Sequence, residues 1–288
     1  MKPKMRPAHV IEIVTPKKVR LNGLWLGPRR AKRVVVWIHG LGSSMFSKLD
    51  IVGRLIDTDT AVVMFNNRGH DKVASVIRTT GNSIKAGAAH EVFTDCVDDI
   101  EGALRFTRAA GAKKVFLAGH STGCQKSVYW SARRGRGVKG IILLAPMSDY
   151  STVEKEQGKK RVAAAEKYVR TLVARGKKFE LIPEAIWPPL DDAQRFLSLY
   201  TGEGPEEIFT YWDQKRTPKT LRSVRKPLLI LLAERDEFQD RPAKKIGDWF
   251  AKHLKLHDKV VVVPKVGHGF KGGERLVARA IRNFIKSC

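Results

Sequence analysis

The chain alternates short, wholly apolar runs with longer stretches whose apolar positions recur at helical spacing. The runs are Arg33–His39 (RVVVWIH), Ala61–Phe65, Lys114–Ala118, Ile141–Ala145, Leu228–Ala233 and Lys259–Val263. They lack the apolar/polar alternation of a half-solvated strand and each predicts a strand; Arg33–His39 and Ala61–Phe65 predict strands covered on both faces, and Lys114–Ala118 a buried one. Two earlier segments, His9–Val14 and Val19–Leu26, predict an antiparallel hairpin turning near Pro16. Between the runs, Val92–Arg108 places Val92, Phe93, Cys96, Val97, Ile100, Leu104 and Phe106 at the spacing of a helix. Its acidic residues cluster in the front half, where they favour the helix dipole. Cys124–Arg134, Ala243–Lys255 and Glu274–Lys286 predict three more helices. Strands alternating with helices predict an α/β fold: a mostly parallel central sheet with helices on both faces.

The rhythm breaks between Ser148 and Val224. Arg161–Arg175 reads as an amphipathic helix with Val162, Val169, Leu172 and Val173 on one side, and Pro183, Pro188, Pro189, Pro205 and Pro218 divide the remainder. Aromatic residues (Trp187, Phe196, Tyr200, Phe209, Tyr211 and Trp212) concentrate here. The expected organisation is a core of residues 1–147 and 225–288, interrupted by a helical lid over 148–224. Trp187 and Trp212 are expected to bind an apolar part of a substrate. The competing role for these aromatics is packing the lid onto the core.

Chemistry enters with Gly119-His120-Ser121-Thr122-Gly123, which follows a predicted strand and precedes a helix. A serine on so tight a strand-to-helix turn has its hydroxyl pushed out above the sheet edge, and small residues two before and two after it are required. A serine hydroxyl is a weak nucleophile and needs a base beside it. His268, in a glycine-flanked loop after the last predicted strand, suits that role. Asp236 follows the strand LLILLA and would hold the imidazole tautomer, with Glu234 and Asp240 as nearby competitors. The order Ser121, Asp236, His268 suits the fold. An oxyanion would be held by the N–H groups of Thr122 and of Leu41, the latter in the loop His39-Gly40-Leu41-Gly42 after RVVVWI. His120 receives no catalytic role.

The net charge of +25 is the unusual feature of the composition. It raises nucleic acid, an anionic membrane surface or an acidic substrate as partners. The basic residues are scattered, however, and their densest groups lack the interleaved aromatics that stack on bases. No specific nucleic-acid binding is therefore expected. No apolar run is long enough to span a bilayer, and no signal peptide is read at the N-terminus, so a cytoplasmic location is expected. Cys96, Cys124 and Cys288 form neither a metal-ligand spacing nor a disulfide framework, and reduced, mostly buried thiols are expected. No metal or cofactor is called for. The expected partner is a small-molecule ester, and a homodimer is left open.

Together HGLG, GHSTG, Asp236 and His268 resemble the α/β-hydrolase superfamily over nearly the whole chain. GHSTGCQ (Gly119–Gln125), FNNRGHD (Phe65–Asp71) and LLAPMSDY (Leu143–Tyr150) resemble more closely a family of fungal and plant α/β-hydrolases that includes siderophore esterases. They also resemble bacterial and archaeal esterases of the feruloyl-esterase kind. This chain is shorter and far more basic, so the relatives' substrates are not carried over. In that motif Arg68 is expected to brace its loop. The resulting expectation is a serine hydrolase acting on carboxylic esters. Acyl transfer, lactone opening, thioester cleavage on the same triad, or a non-catalytic basic binding protein, are the alternatives.

Overall fold

The computed structural model describes residues 5–255 and 257–288. Its strands are β1 (His9–Val14), β2 (Val19–Leu26), β3 (Arg33–Ile38), β4 (Thr60–Phe65), β5 (Ala74–Arg78), β6 (Ser83–Ala86), β7 (Lys114–His120), β8 (Gly140–Leu144), β9 (Leu228–Ala233) and β10 (Lys259–Val263). They form one sheet in the order β10-β9-β8-β7-β3-β4-β2-β5-β6, with β1 paired to β2. From β10 to β4 every neighbouring pair is parallel. β2 runs antiparallel to β4 and to β1. The helices are α1 (Leu49–Val52), α2 (Cys96–Ala109), α3 (Thr122–Arg133), α4 (Asp149–Gln157), α5 (Lys159–Ala174), α6 (Ala193–Leu199), α7 (Lys219–Arg222), α8 (Ala243–His253) and α9 (Glu274–Ser287). This is the α/β-hydrolase architecture expected of the sequence.

The continuous apolar runs have a direct cause. In β3, Val34, Val36 and Ile38 pack into a core beneath α2, α3 and α8, while Val35 and Trp37 pack into a second core beneath α1 and α9. Successive side chains point to opposite faces, so a strand with helices on both sides must be apolar at every position. The helix predicted from Val92 instead starts at Cys96, after a short 3-10 turn over Phe93–Asp95. The hairpin β5–β6 had no sequence signal, because its residues are mostly exposed and only Val76 and Ala86 are buried. Among the described residues no helix is long and apolar enough to cross a membrane. All three cysteines are free.

Helices α4 to α7 lie between β8 and β9 in the chain. Helices α4 to α6 carry their own apolar cluster, in which Val162, Val169 and Leu172 of α5 meet Trp187, Phe196 and Leu199, whereas Leu221 of α7 packs into the core beneath α2, α3 and α8. This segment is tied to the sheet by buried charge. Arg195 of α6, wholly buried, pairs with Glu206 and lies 3.3 Å from Glu91 Oε2. Lys126 of α3, also wholly buried, lies 2.6 Å from Glu91 Oε1 and donates to Asn67 Oδ1 at 3.2 Å. Asp192 caps α6 by accepting from the Arg195 N–H, and its other oxygen lies 3.0 Å from His90 Nδ1. Charges buried this deeply persist only when paired. Arg68 forms the comparable brace on the other side, gripping Asp95, Asp98 and Asp99 around the start of α2. Arg195→Met would leave Glu91 and Glu206 without their shared cation. The expected loss is about 3–5 kcal/mol of unfolding free energy, measured by urea denaturation at neutral pH.

Candidate active site

Four loops meet at one edge of the sheet, because β3, β7, β9 and β10 lie in a common parallel array and each loop follows a C-terminal strand end. They carry Leu41, Ser121, Asp236 and His268 respectively. Ser121 is the sharp turn between β7 and α3, with φ 56° and ψ −129°. Steric crowding explains its flanking glycines. A Cβ at position 119 would strike the carbonyl of Gly123, and one at 123 would strike the carbonyl of Ile38. Gly40, in the loop after β3, presses on the serine itself: a Cβ there would lie 2.8 Å from Ser121 Cβ. The turn is pinned by Ser121 N–H donating to Leu144 O at 2.9 Å.

His268 Nδ1 lies 2.9 Å from Asp236 Oδ2. With Nδ1 donating, Nε2 is left as the basic nitrogen. The Asp236 side chain is fully buried, and its Oδ1 accepts from the Phe238 N–H at 3.1 Å. The two competing carboxylates are engaged elsewhere: Glu234 accepts from the Lys265 N–H, and Asp240 pairs with Arg241. Ser121 and His268 both line a cavity of about 360 Å³ together with Leu41, Met147, Tyr200 and Phe238. Ser121 Oγ and His268 Nε2 make no hydrogen bond in this state. Such bonds commonly tighten only when substrate binds. Among the described residues neither the Leu41 nor the Thr122 N–H donates to a protein acceptor. Thr122 also opens α3, so its N–H lies at the positive end of the helix dipole.

Sequence patterns missed several side chains that hold His268. His120 Nε2 donates to His268 O at 3.0 Å, and its ring lies 4.9 Å from the His268 ring. Burial holds the His120 pKa well below its usual value, so the ring is a neutral donor. Glu237 accepts from the His268 N–H at 2.9 Å, and Phe238 meets the imidazole edge-on at 4.9 Å. Lys48 Nζ donates to the carbonyl of the next residue, Gly269, at 3.2 Å. None of these contacts follows a local spacing. The tryptophan expectation is corrected. Trp187 is wholly buried against Phe196 and Tyr200, with its indole N–H on Asp191, and does not reach the cavity. Trp212 packs on Tyr150 and donates to Glu207. The aromatic residues at the cavity are Tyr200 and Phe238.

Three ionisable groups are tuned by burial around this site. Burial, reinforced by the charge of Glu206, pushes the cavity-lining Asp149 up to about 7, while Gln125 Nε2 donates to its Oδ2 at 2.7 Å. Burial likewise pushes Glu207 up to about 8. In the opposite sense, burial and then the charge of Lys126 lower His39 to about 3. His39 is therefore neutral, with Nδ1 donating to Gly40 O and Nε2 accepting from the Asn67 N–H, and it braces the loop that presses on Ser121. Among the described residues no group of three His, Cys, Asp or Glu is arranged to hold a metal.

The raised carboxyls have a defined effect on stability. Between about pH 5 and pH 8 the native state holds the Glu207 proton and the unfolded chain releases it, so this group's contribution falls as pH rises. Glu207→Gln cannot titrate and still accepts from Trp212. Its Tm is expected to decline less than wild type across that window, by several degrees at the alkaline end. Calorimetric scans of both proteins at matched pH check this.

Solved structures place the fold among α/β-hydrolases. The Pyrococcus furiosus esterase Pf2001 is 17% identical with a TM-score of 0.65, covering 98% of this chain and 91% of that one. The siderophore hydrolase EstB from Aspergillus fumigatus is 15% identical with a TM-score of 0.69, covering 100% and 99%. Est1E from Butyrivibrio proteoclasticus, solved with ferulic acid bound, is 16% identical with a TM-score of 0.64, covering 96% and 98%. At these identities the likeness shows the fold. No curated protein matches the chain in sequence. The family described as "Protein of unknown function (DUF1749)" matches residues 71–274, the greater part of the sequence, and this chain belongs to that family.

Proposed function

We propose that this protein is a serine hydrolase that cleaves small-molecule carboxylic esters, with Ser121 as nucleophile, His268 as general base and Asp236 as the residue that orients the base. The observation that carries it is the 2.9 Å contact between His268 Nδ1 and Asp236 Oδ2, made at the cavity that Ser121 also lines. In the first step Ser121 Oγ bonds to the ester carbonyl carbon while His268 Nε2 takes the hydroxyl proton. The carbonyl oxygen becomes an oxyanion, held by the Leu41 and Thr122 N–H groups. Collapse breaks the bond to the alcohol, which leaves with the proton from His268. Water then attacks the acyl-serine, again giving its proton to His268, and releases the acid. The names of the fold's relatives, an esterase, a siderophore hydrolase and a protein solved with ferulic acid bound, favour ester chemistry.

The segment over residues 148–224 acts in this reading as a lid. Met147, Asp149, Thr152 and Tyr200, at its start and within it, line the cavity, so its position sets the room above Ser121. Trp187 holds the segment's own core together, while Trp212 packs against Tyr150 and the core of the sheet, and neither lines the cavity.

A panel of chromogenic esters of graded acyl length tests the reading. Wild type is expected to hydrolyse at least the short acyl members and to be labelled by a fluorophosphonate probe. Ser121→Ala should lose on the order of 10⁴-fold or more in kcat and all labelling, with its fold intact by circular dichroism. Equal background rates for both proteins would overturn the assignment.

A further inference from the structure

The cavity holds one charged group that ester hydrolysis does not require. Lys48 lies in the loop that runs from Leu41 to α1, at φ 60° and ψ 23°, a left-handed conformation costly for a residue with a side chain. Lys48 lines the cavity, and its ammonium spends one of its three donors on Gly269 O. Among the described residues no carboxylate lies within 4.0 Å of it. The carboxylate whose charge acts on it is Glu237, which already accepts from the His268 N–H. Burial lowers the Lys48 pKa, as it does for any cation removed from water without a full partner. A half-buried ammonium with unspent donors is a site for an anion.

Its position indicates which part of the substrate would carry that anion. The carbonyl that Lys48 grips belongs to the residue after His268, so the ammonium stands on the imidazole side of the cavity. His268 is the group that protonates the departing alcohol, and the alcohol therefore leaves on this side. We infer that the preferred substrates are esters whose alcohol portion carries a carboxylate, held by the Lys48 ammonium. This rests on the ester-hydrolase reading above and extends it to a substrate class. The lining contributed by α4 carries the Glu156 carboxylate and the raised carboxyl of Asp149, and suits the acyl portion to neutral or hydrogen-bonding groups.

The test compares two acetate esters of nearly equal phenol acidity: that of hydroxyphenylpropanoic acid and that of its primary amide. Wild type is expected to favour the acid by about tenfold in kcat/KM at low salt, a preference that shrinks as sodium chloride is raised. Lys48→Arg should keep the preference, Lys48→Gln should bring the pair to parity, and Lys48→Glu should favour the amide. Ratios within each protein cancel any general loss of activity, and the wild-type salt dependence does not require that a variant fold. Parity in wild type, or a preference surviving in Lys48→Gln, would overturn the inference while Ser121-dependent turnover left the ester-hydrolase reading standing. Absence of both turnover and fluorophosphonate labelling would overturn the two together.

Discussion

Ser121 occupies a backbone conformation that L residues rarely hold, and such strain, typically about 1–3 kcal/mol, persists only where the surroundings leave no alternative. Here the surroundings are backbone. β7 delivers the chain from the middle of the parallel sheet, α3 must begin at once, and the carbonyls of Gly123 and Ile38 fill the space where side chains at 119 and 123 would stand. Gly40 closes the remaining side. The rest of the site is arranged around this one turn. Because β3, β9 and β10 run parallel to β7 in one sheet, their loops arrive at the same edge with Leu41, Asp236 and His268.

A rigid turn is useful only if its partners are equally well placed, and the structure over-determines His268. Its ring is held by Asp236, its N–H by Glu237 and its carbonyl by His120, with Phe238 against its edge. Three of these four come from the loop after β9 and one, His120, is the last residue of β7, next to Ser121. The imidazole and the serine are thus coupled through shared backbone as well as through the cavity. His39 extends the same logic to the loop after β3, since a neutral imidazole there joins Gly40 to Asn67.

The segment between β8 and β9 is joined to this framework by buried charge as well as by apolar packing. Lys126 sits on the helix that Ser121 opens, and Glu91 links it to Arg195 of α6. The residues that shape the cavity from above are consequently anchored to the helix that carries the serine below. Removing one partner of such a pair leaves an uncompensated buried charge, so each pair resists any arrangement that separates its members. The carboxyls pushed upward at Asp149 and Glu207 belong to the same buried polar layer.

The features legible in the sequence were those set by near neighbours in the chain. A strand covered on both faces must be apolar at every position, so RVVVWIH and LLILLA declared themselves; a strained serine turn excludes side chains two residues either way, so GHSTG did too. The order of Ser121, Asp236 and His268 after β7, β9 and β10 followed from the parallel sheet those strands build. α2 starts at Cys96 and not at Val92, and β5–β6 leaves little apolar signature because its strands are mostly exposed. What only the tertiary structure decided was which side chains meet across long separations. Trp187 and Trp212 looked like substrate contacts and are packing residues, whereas Tyr200 and Phe238 reach the cavity. His120 meets the carbonyl of His268 across 148 residues, and Lys48 meets that of Gly269 across 221. No local period encodes such pairs, because they depend on where whole elements pack and not on the residues beside them in the chain.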